Sequence, residues 1–159
     1  MIYGLPRLLG VHPALWGAAG YLAVKSKYDW KVVSGFRGND EQAALYAIGR
    51  TSQIGRATVT DAQVGTSAHN FGLAIDVQPT ADKGASVIQD LQHPAWAEKD
   101  EILSGFPGIT PAISTSSGRD WPHIQVKDWQ NQKDWKNTYT VVAACVSLAA
   151  ILVGIGVTK

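Results

Sequence analysis

Apolar residues recur along this chain with two different spacings, and near its C-terminus polar residues almost disappear. In "HPALWGAAGYLAV", Leu15, Ala18, Ala19 and Leu22 fall three and four apart, on one face of a helix that His12-Pro13 would start with proline in its first position. Arg7 and the small residues nearby also suggest a signal peptide, but the amphipathic spacing favours a folded helix over a cleaved leader. "DWKVVSGFR" alternates instead, Trp30, Val32 and Ser34 against Lys31 and Val33, and ends at Gly35, which predicts a strand running into a loop. "NDEQAALYAIGR" returns to helix, with Asn39 or Asp40 as its cap, Ala43, Ala44, Leu45 and Ile48 along it, and Gly49 at its end. Residues 50–66, rich in Thr, Gly and Gln, predict a long surface loop, and a further helix is expected from Pro94 through Leu103. "SGFPGITPAISTSSGRD" predicts a turn-rich loop, and two short strands are expected at Leu73 to Val77 and His123 to Val126.

From Thr138 to Thr158 no residue is charged, and about 20 helical residues rising ~1.5 Å each would cross a ~30 Å hydrocarbon layer. The chain therefore divides into a domain at residues 1–137 and a hydrophobic helix at residues 138–159. Tyr139 near one end, with Lys133, Lys136 and Lys159 outside both ends, supplies the aromatic and basic flanks of a membrane span. Ala143, Ala144, Gly154 and Gly156 would also let such a helix pack against copies of itself or be buried in an assembly.

Composition narrows the chemistry. With 159 residues, one domain of roughly 130 residues plus a tail is expected, large enough to bury a core. Fourteen Lys and Arg against thirteen Asp and Glu leave a formal charge of +1, so nucleic acid is not an expected partner. The single cysteine, Cys145, can form no internal disulfide and no paired-cysteine zinc site. A metal would have to be held by His, Asp or Glu.

The two short strands offer such a set. Side chains alternate faces along a strand, so Leu73, Ile75 and Val77 oppose Ala74 and Asp76, just as Ile124 and Val126 oppose His123 and Gln125. If the strands pair, Asp76 and His123 meet on the polar face, and His69, three residues before Gly72, can reach the same point from the entering turn. Two imidazoles and one carboxylate suit Zn²⁺ with a position left open for water.

The pattern Ser67-x-His69-x-x-Gly72-x-Ala74-x-Asp76, followed by Asp120-x-Pro122-His123, resembles the M15 family of zinc peptidases. That family includes D-alanyl-D-alanine carboxypeptidases and phage and bacterial L-alanyl-D-glutamate endopeptidases. "VHPAL" and "VVSGFRGNDEQAALYAIGR" extend the likeness over roughly residues 5–127. It implies an α+β fold, a small antiparallel sheet with helices packed on one side, as in M15 and hedgehog-like zinc domains. It also implies zinc held by His69, Asp76 and His123, with Asp120 as general base and Arg37 stabilising an oxyanion or holding a substrate carboxylate. Ser67 and Gln42 become candidates for substrate contact or support, Trp121 for a groove wall, and Gly72 and Ala74 for close approach to the metal. His12 and His93, each before a proline, and Trp129 and Trp135 are expected to be structural or to anchor at a membrane interface.

The aspartate in "DWPH" favours an L-alanyl-D-glutamate endopeptidase of endolysin or virion-associated type; a D-alanyl-D-alanine carboxypeptidase is the alternative. A non-catalytic zinc-bound module of a phage tail or membrane complex is the reading from another class. Expected partners are bacterial peptidoglycan, a membrane through the C-terminal helix, and a phage particle or a second copy of the chain. The expected site of action is the bacterial cell wall or periplasm. Ile124 departs from the family pattern, in which an aromatic tends to follow the last histidine.

Overall fold

A computed structural model describes residues 1–115 and 118–137, and the hydrophobic stretch from Thr138 onward, with its expected membrane span, lies outside these described residues. Among the described residues no helix is long and apolar enough to cross a membrane. The main sheet is built from β1 (Ile2–Tyr3), β2 (Asp29–Ser34), β3 (Ala74–Ala81), β4 (Ser86–Val87), β5 (Ile109–Thr110) and β8 (His123–Val126). Its strands lie in the order β1-β2-β3-β8-β5, with β4 added to β3. β1 and β2 run parallel and the other pairs antiparallel. A separate ribbon joins β6 (Ile113–Thr115) to β7 (Gly118–Asp120).

The apolar side of this sheet is covered by α1 (Pro13–Lys25) and α3 (Ala95–Ser104), which pack against each other and against β5. Leu15, Ala18, Ala19 and Leu22 of α1 are buried as their spacing requires, beside Trp30, Val32, Ile75, Val77 and Ile124 from the sheet. Trp30 and Trp96 meet edge to face at 5.9 Å. Each indole N–H has a partner, Ser26 Oγ at 2.9 Å and the Asp90 carbonyl at 3.0 Å, so their burial strands no donor. The two His-Pro pairs do begin helices: His12 Nδ1 accepts from Ala14 N–H and His93 Nδ1 from Ala95 N–H.

Four expectations need correction. The helix around "NDEQAALYA" is α2 (Asn39–Ala47), capped by Gly38, and it buries Gln42 while Ala43 and Ala44 face solvent. Its apolar residues are too small and too few to dock it, and a polar side chain does so instead. β3 runs on to Ala81 through Pro79, tolerated because Pro79 lies beyond the reach of β8 and still accepts from Ile88 N–H. The segment Ser104 to Asp120 is not all loop, since it contains β5, β6 and β7. Gly72, at φ 68°, is required by protein backbone: a Cβ there would stand 2.2 Å from the Gly10 carbonyl oxygen.

Candidate metal centre

Sheet register assembles the site. β3 and β8 pair with Asp76 directly opposite His123, flanked by Ile75 opposite Ile124 and Ala74 opposite Gln125. The alternation therefore sends Ile75 and Ile124 into the core and leaves Asp76, Gln78, His123 and Gln125 on the face that lines a cleft of about 730 Å³. His69 arrives from the 3₁₀ turn Ala68–Phe71, whose start is capped by Ser67 Oγ accepting the His69 N–H at 3.3 Å. Gly72 closes the turn in the left-handed conformation.

One carboxylate oxygen is the meeting point. Asp76 Oδ1 lies 3.4 Å from His69 Nε2 and 3.3 Å from His123 Nδ1, and the rings stand at 71° with centroids 5.2 Å apart. Ligand atoms of the three residues lie within 4.8 Å of one another, close enough to share one ion. The outer nitrogens are already occupied: His69 Nδ1 lies 2.8 Å from the Gly35 carbonyl oxygen and His123 Nε2 lies 3.0 Å from Gln125 Oε1. Both acceptors are carbonyl oxygens, so in each neutral ring the proton sits on the outer nitrogen and the inner lone pair faces Asp76. The donor set thus fits a divalent cation that takes imidazole nitrogen and carboxylate oxygen.

The charges in the site are mutually coupled. Burial pushes the Asp76 carboxyl up, but the charge and hydrogen bonds that the His69 and His123 rings supply in their protonated forms outweigh it and hold the group well below the carboxylate range. For His123, burial lowers the pKa and Asp76 and Gln125 more than offset it, giving a net rise. Asp120, at the end of β7, is half-buried on the cleft wall; burial and then the Asp76 charge raise its pKa, against His123, His69 and Lys99.

Arg37 is buried, with its Nη2 3.7 Å from Asp76 Oδ2 and 3.1 Å from Ser34 Oγ, and its Nη1 donates to Gln42 Oε1 at 2.9 Å. Gln42 in turn donates to the Ala62 carbonyl, so its fully buried side chain serves to hold Arg37 and the 50–66 loop. The Arg37 Nε is buried without a hydrogen-bond partner, and Arg37 is among the residues that line the cleft. Trp121 also lines the cleft, with the Arg119 guanidinium 4.6 Å over its ring. Trp129 and Trp135 pack against the core. Gln125 and the Gly35 carbonyl were not singled out from the sequence. Gln125 carries a readable signal, since it sits two residues after His123 on the same strand face; a backbone carbonyl carries none.

The family model described as "VanY: D-alanyl-D-alanine carboxypeptidase" matches residues 20–106. That stretch includes Arg37, Gln42, Ser67, His69 and Asp76 and ends before Asp120 and His123. Over 111 residues the chain is 32% identical to the peptidoglycan L-alanyl-D-glutamate endopeptidase CwlK of Bacillus subtilis (strain 168), covering 65% of this chain and 64% of that protein. The chain thus spans somewhat under two thirds of that relative's length. The fold is similar to the crystal structure of the Serratia marcescens L-Ala D-Glu endopeptidase ChiX, with a TM-score of 0.56 and 21% identity, covering 82% of this chain and 87% of that one.

Proposed function

The chain belongs to the VanY family described as D-alanyl-D-alanine carboxypeptidase, and on that footing we propose that it is a zinc-dependent peptidase that hydrolyses the L-alanyl-D-glutamate bond of the peptidoglycan stem peptide. The observation that carries this reading is the convergence of His69 Nε2, His123 Nδ1 and Asp76 Oδ1, each imidazole oriented by a carbonyl oxygen on its far side. The bond is chosen on the CwlK likeness and on an aspartate at position 120.

His69, Asp76 and His123 would hold the zinc ion, whose contribution when bound is Lewis acidity toward water and the scissile carbonyl. Asp120 takes the proton of the attacking water and returns it to the leaving amine. Its raised pKa brings it closer to that double task than an exposed aspartate would be. Arg37, fixed by Ser34 and Gln42, sets a permanent positive charge beside Asp76, where it can draw in a substrate carboxylate or developing oxyanion. Trp121 and Ser67 contribute to the wall along which the stem peptide lies.

The test is incubation of the purified full chain with peptidoglycan, with and without chelator. New D-glutamate N-termini that vanish on chelation are expected. Free D-alanine in their place would move the activity to D,D-carboxypeptidase chemistry, and zinc binding without cleavage, unaltered by Asp120→Asn, would make the protein a non-catalytic module.

We also propose that residues 138–158 anchor the domain to a membrane facing the cell wall, supported by their complete lack of charge. Carriage in a phage particle is a second proposed route to the wall, supported by the resemblance to endolysin-type peptidases. Extraction of the full chain from membranes by detergent but not by high salt tests the anchor; recovery from purified particles tests the second.

A further inference from the structure

α3 carries a lysine for which the proposed chemistry has no use. Lys99 has no exposed surface. Its ammonium contacts the carbonyl oxygens of Pro111, of Trp121 at 2.5 Å and of His123 at 3.5 Å, with Asp100 Oδ1 at 3.2 Å. An ammonium has three N–H donors, and three chain carbonyls meet it here. Pro111 lies between β5 and β6, Trp121 in the turn from β7 to β8, and His123 at the first position of β8. One buried cation therefore joins helix α3 to three points of the segment that forms one wall of the cleft.

The arrangement around Pro122 is specific. The Trp121 and His123 carbonyls turn toward α3, while the Pro122 carbonyl between them accepts the Val77 N–H of β3 at 2.9 Å. The backbone from 121 to 123 is thus pinned from both sides, and the side chains of Asp120 and His123 are directed into the cleft. The neighbouring Asp100 pairs with Arg119, whose guanidinium covers the Trp121 ring. Residues 119, 121 and 123 are all held by two consecutive residues of one helix.

Packing alone would not select lysine at this place. Burial lowers the Lys99 pKa to about 8, a cost that an apolar side chain would avoid. An apolar residue would instead take the Lys99 donor away from the part-buried Trp121 carbonyl, which lies outside the strand ladders.

We propose that Lys99 is a positioning residue: by binding the Trp121 and His123 carbonyls it sets the location of Asp120 and His123 relative to His69 and Asp76. The inference rests on the peptidase reading for what Asp120 does there, but its geometric content does not depend on that reading.

The test uses the full chain with Lys99→Met, compared with Leu103→Ala, a cavity variant in the same helix and away from the cleft. Three readouts are taken: zinc affinity by chelator competition, the His123 imidazole resonances of the metal-free protein, and kcat and KM on a stem peptide. Lys99→Met is expected to shift the His123 resonances, to weaken zinc binding about tenfold or more, and to lower kcat with KM within about twofold. Lys99→Gln, which keeps two donors, is expected to recover part of each, and is read alone if the methionine variant does not fold. Leu103→Ala is expected to lower Tm and leave all three readouts in place. Unchanged zinc affinity and His123 resonances in a folded Lys99 variant overturn the proposal, as does an equal loss in Leu103→Ala at matched Tm. If the unsubstituted protein fails to cleave peptidoglycan, the peptidase reading falls, while the resonance and affinity readouts still decide the role of Lys99.

Discussion

Replacing Gln125 by leucine isolates one hydrogen bond of the proposed zinc site without touching a ligand. Gln125 Oε1 is the acceptor for His123 Nε2 at 3.0 Å, and His123 is 6% exposed, so water has little access to take over the bond. Leucine has similar volume and no acceptor. The His123 proton then either stays on Nε2 without a partner, at about 1–3 kcal/mol for a buried donor, or moves to Nδ1. In the second case it occupies the lone pair 3.3 Å from Asp76 Oδ1, and must be removed before an ion can bind. Either way the cost falls on the metal-competent form. We expect zinc affinity at pH 7.5 to drop about 10–100-fold, equivalent to roughly 1.4–2.8 kcal/mol. Chelator competition on the full chain measures it, with thermal unfolding of the metal-free protein as the control. Gln125→Glu, which restores an acceptor, should bind zinc at least as tightly as glutamine does. A folded leucine variant with unchanged affinity would show that His123 needs no such orientation, and the tautomer argument would be lost.

Asp120→Asn removes the proposed base and is expected to lower kcat by about 10²–10⁴-fold with zinc stoichiometry unchanged, by metal analysis and steady-state kinetics. Gly72→Ala places a Cβ 2.2 Å from the Gly10 carbonyl oxygen at φ 68°, so we expect at least ~1–2 kcal/mol of destabilisation in urea melts. His12 caps α1 through Nδ1, and burial lowers its pKa, so the folded protein favours the neutral ring. A depressed histidine contributes stability that is present above its unfolded value of about 6.5 and is lost as pH falls from there toward the folded pKa. The urea midpoint should therefore fall as the pH drops below about 6.5, and His12→Asn, which keeps a cap but does not titrate, should flatten that part of the profile.

The parts of the fold readable from sequence were those where side-chain period and burial coincide. Leu15, Ala18, Ala19 and Leu22 define the buried face of α1, and the alternation in β3 and β8 places Asp76 and His123 on one side. Strand order needed the motif as well, because β3 and β8 are far apart along the chain, with helix α3 and several short strands between them. Regions docked by polar side chains gave no such signal. α2 is held by Gln42 and the cleft wall by Lys99, and neither residue type announces burial. Of the two oxygens that orient the histidines, Gln125 Oε1 is legible from its place two residues after His123 on one strand face, whereas the Gly35 carbonyl belongs to backbone and leaves no mark in the sequence.

That backbone oxygen is positioned by an irregularity in β2. Val32 pairs with Val77 and Ser34 with Asp76, so two steps along β2 match one along β3. Such a bulge bends the strand and re-aims the residues beyond it. Those residues are Ser34, whose Oγ accepts from Arg37 Nη2, and Gly35, whose carbonyl accepts from His69 Nδ1. Gly35 must be glycine for the bend to close, because a Cβ there would stand 1.8 Å from the Arg7 carbonyl oxygen. A regular strand would have carried Val33 opposite Asp76 and turned the next residues onto the other faces. The apolar alternation of "DWKVVSG" therefore predicts the strand correctly and says nothing of its end, where one inserted residue turns the end of a strand into the support for both His69 and Arg37.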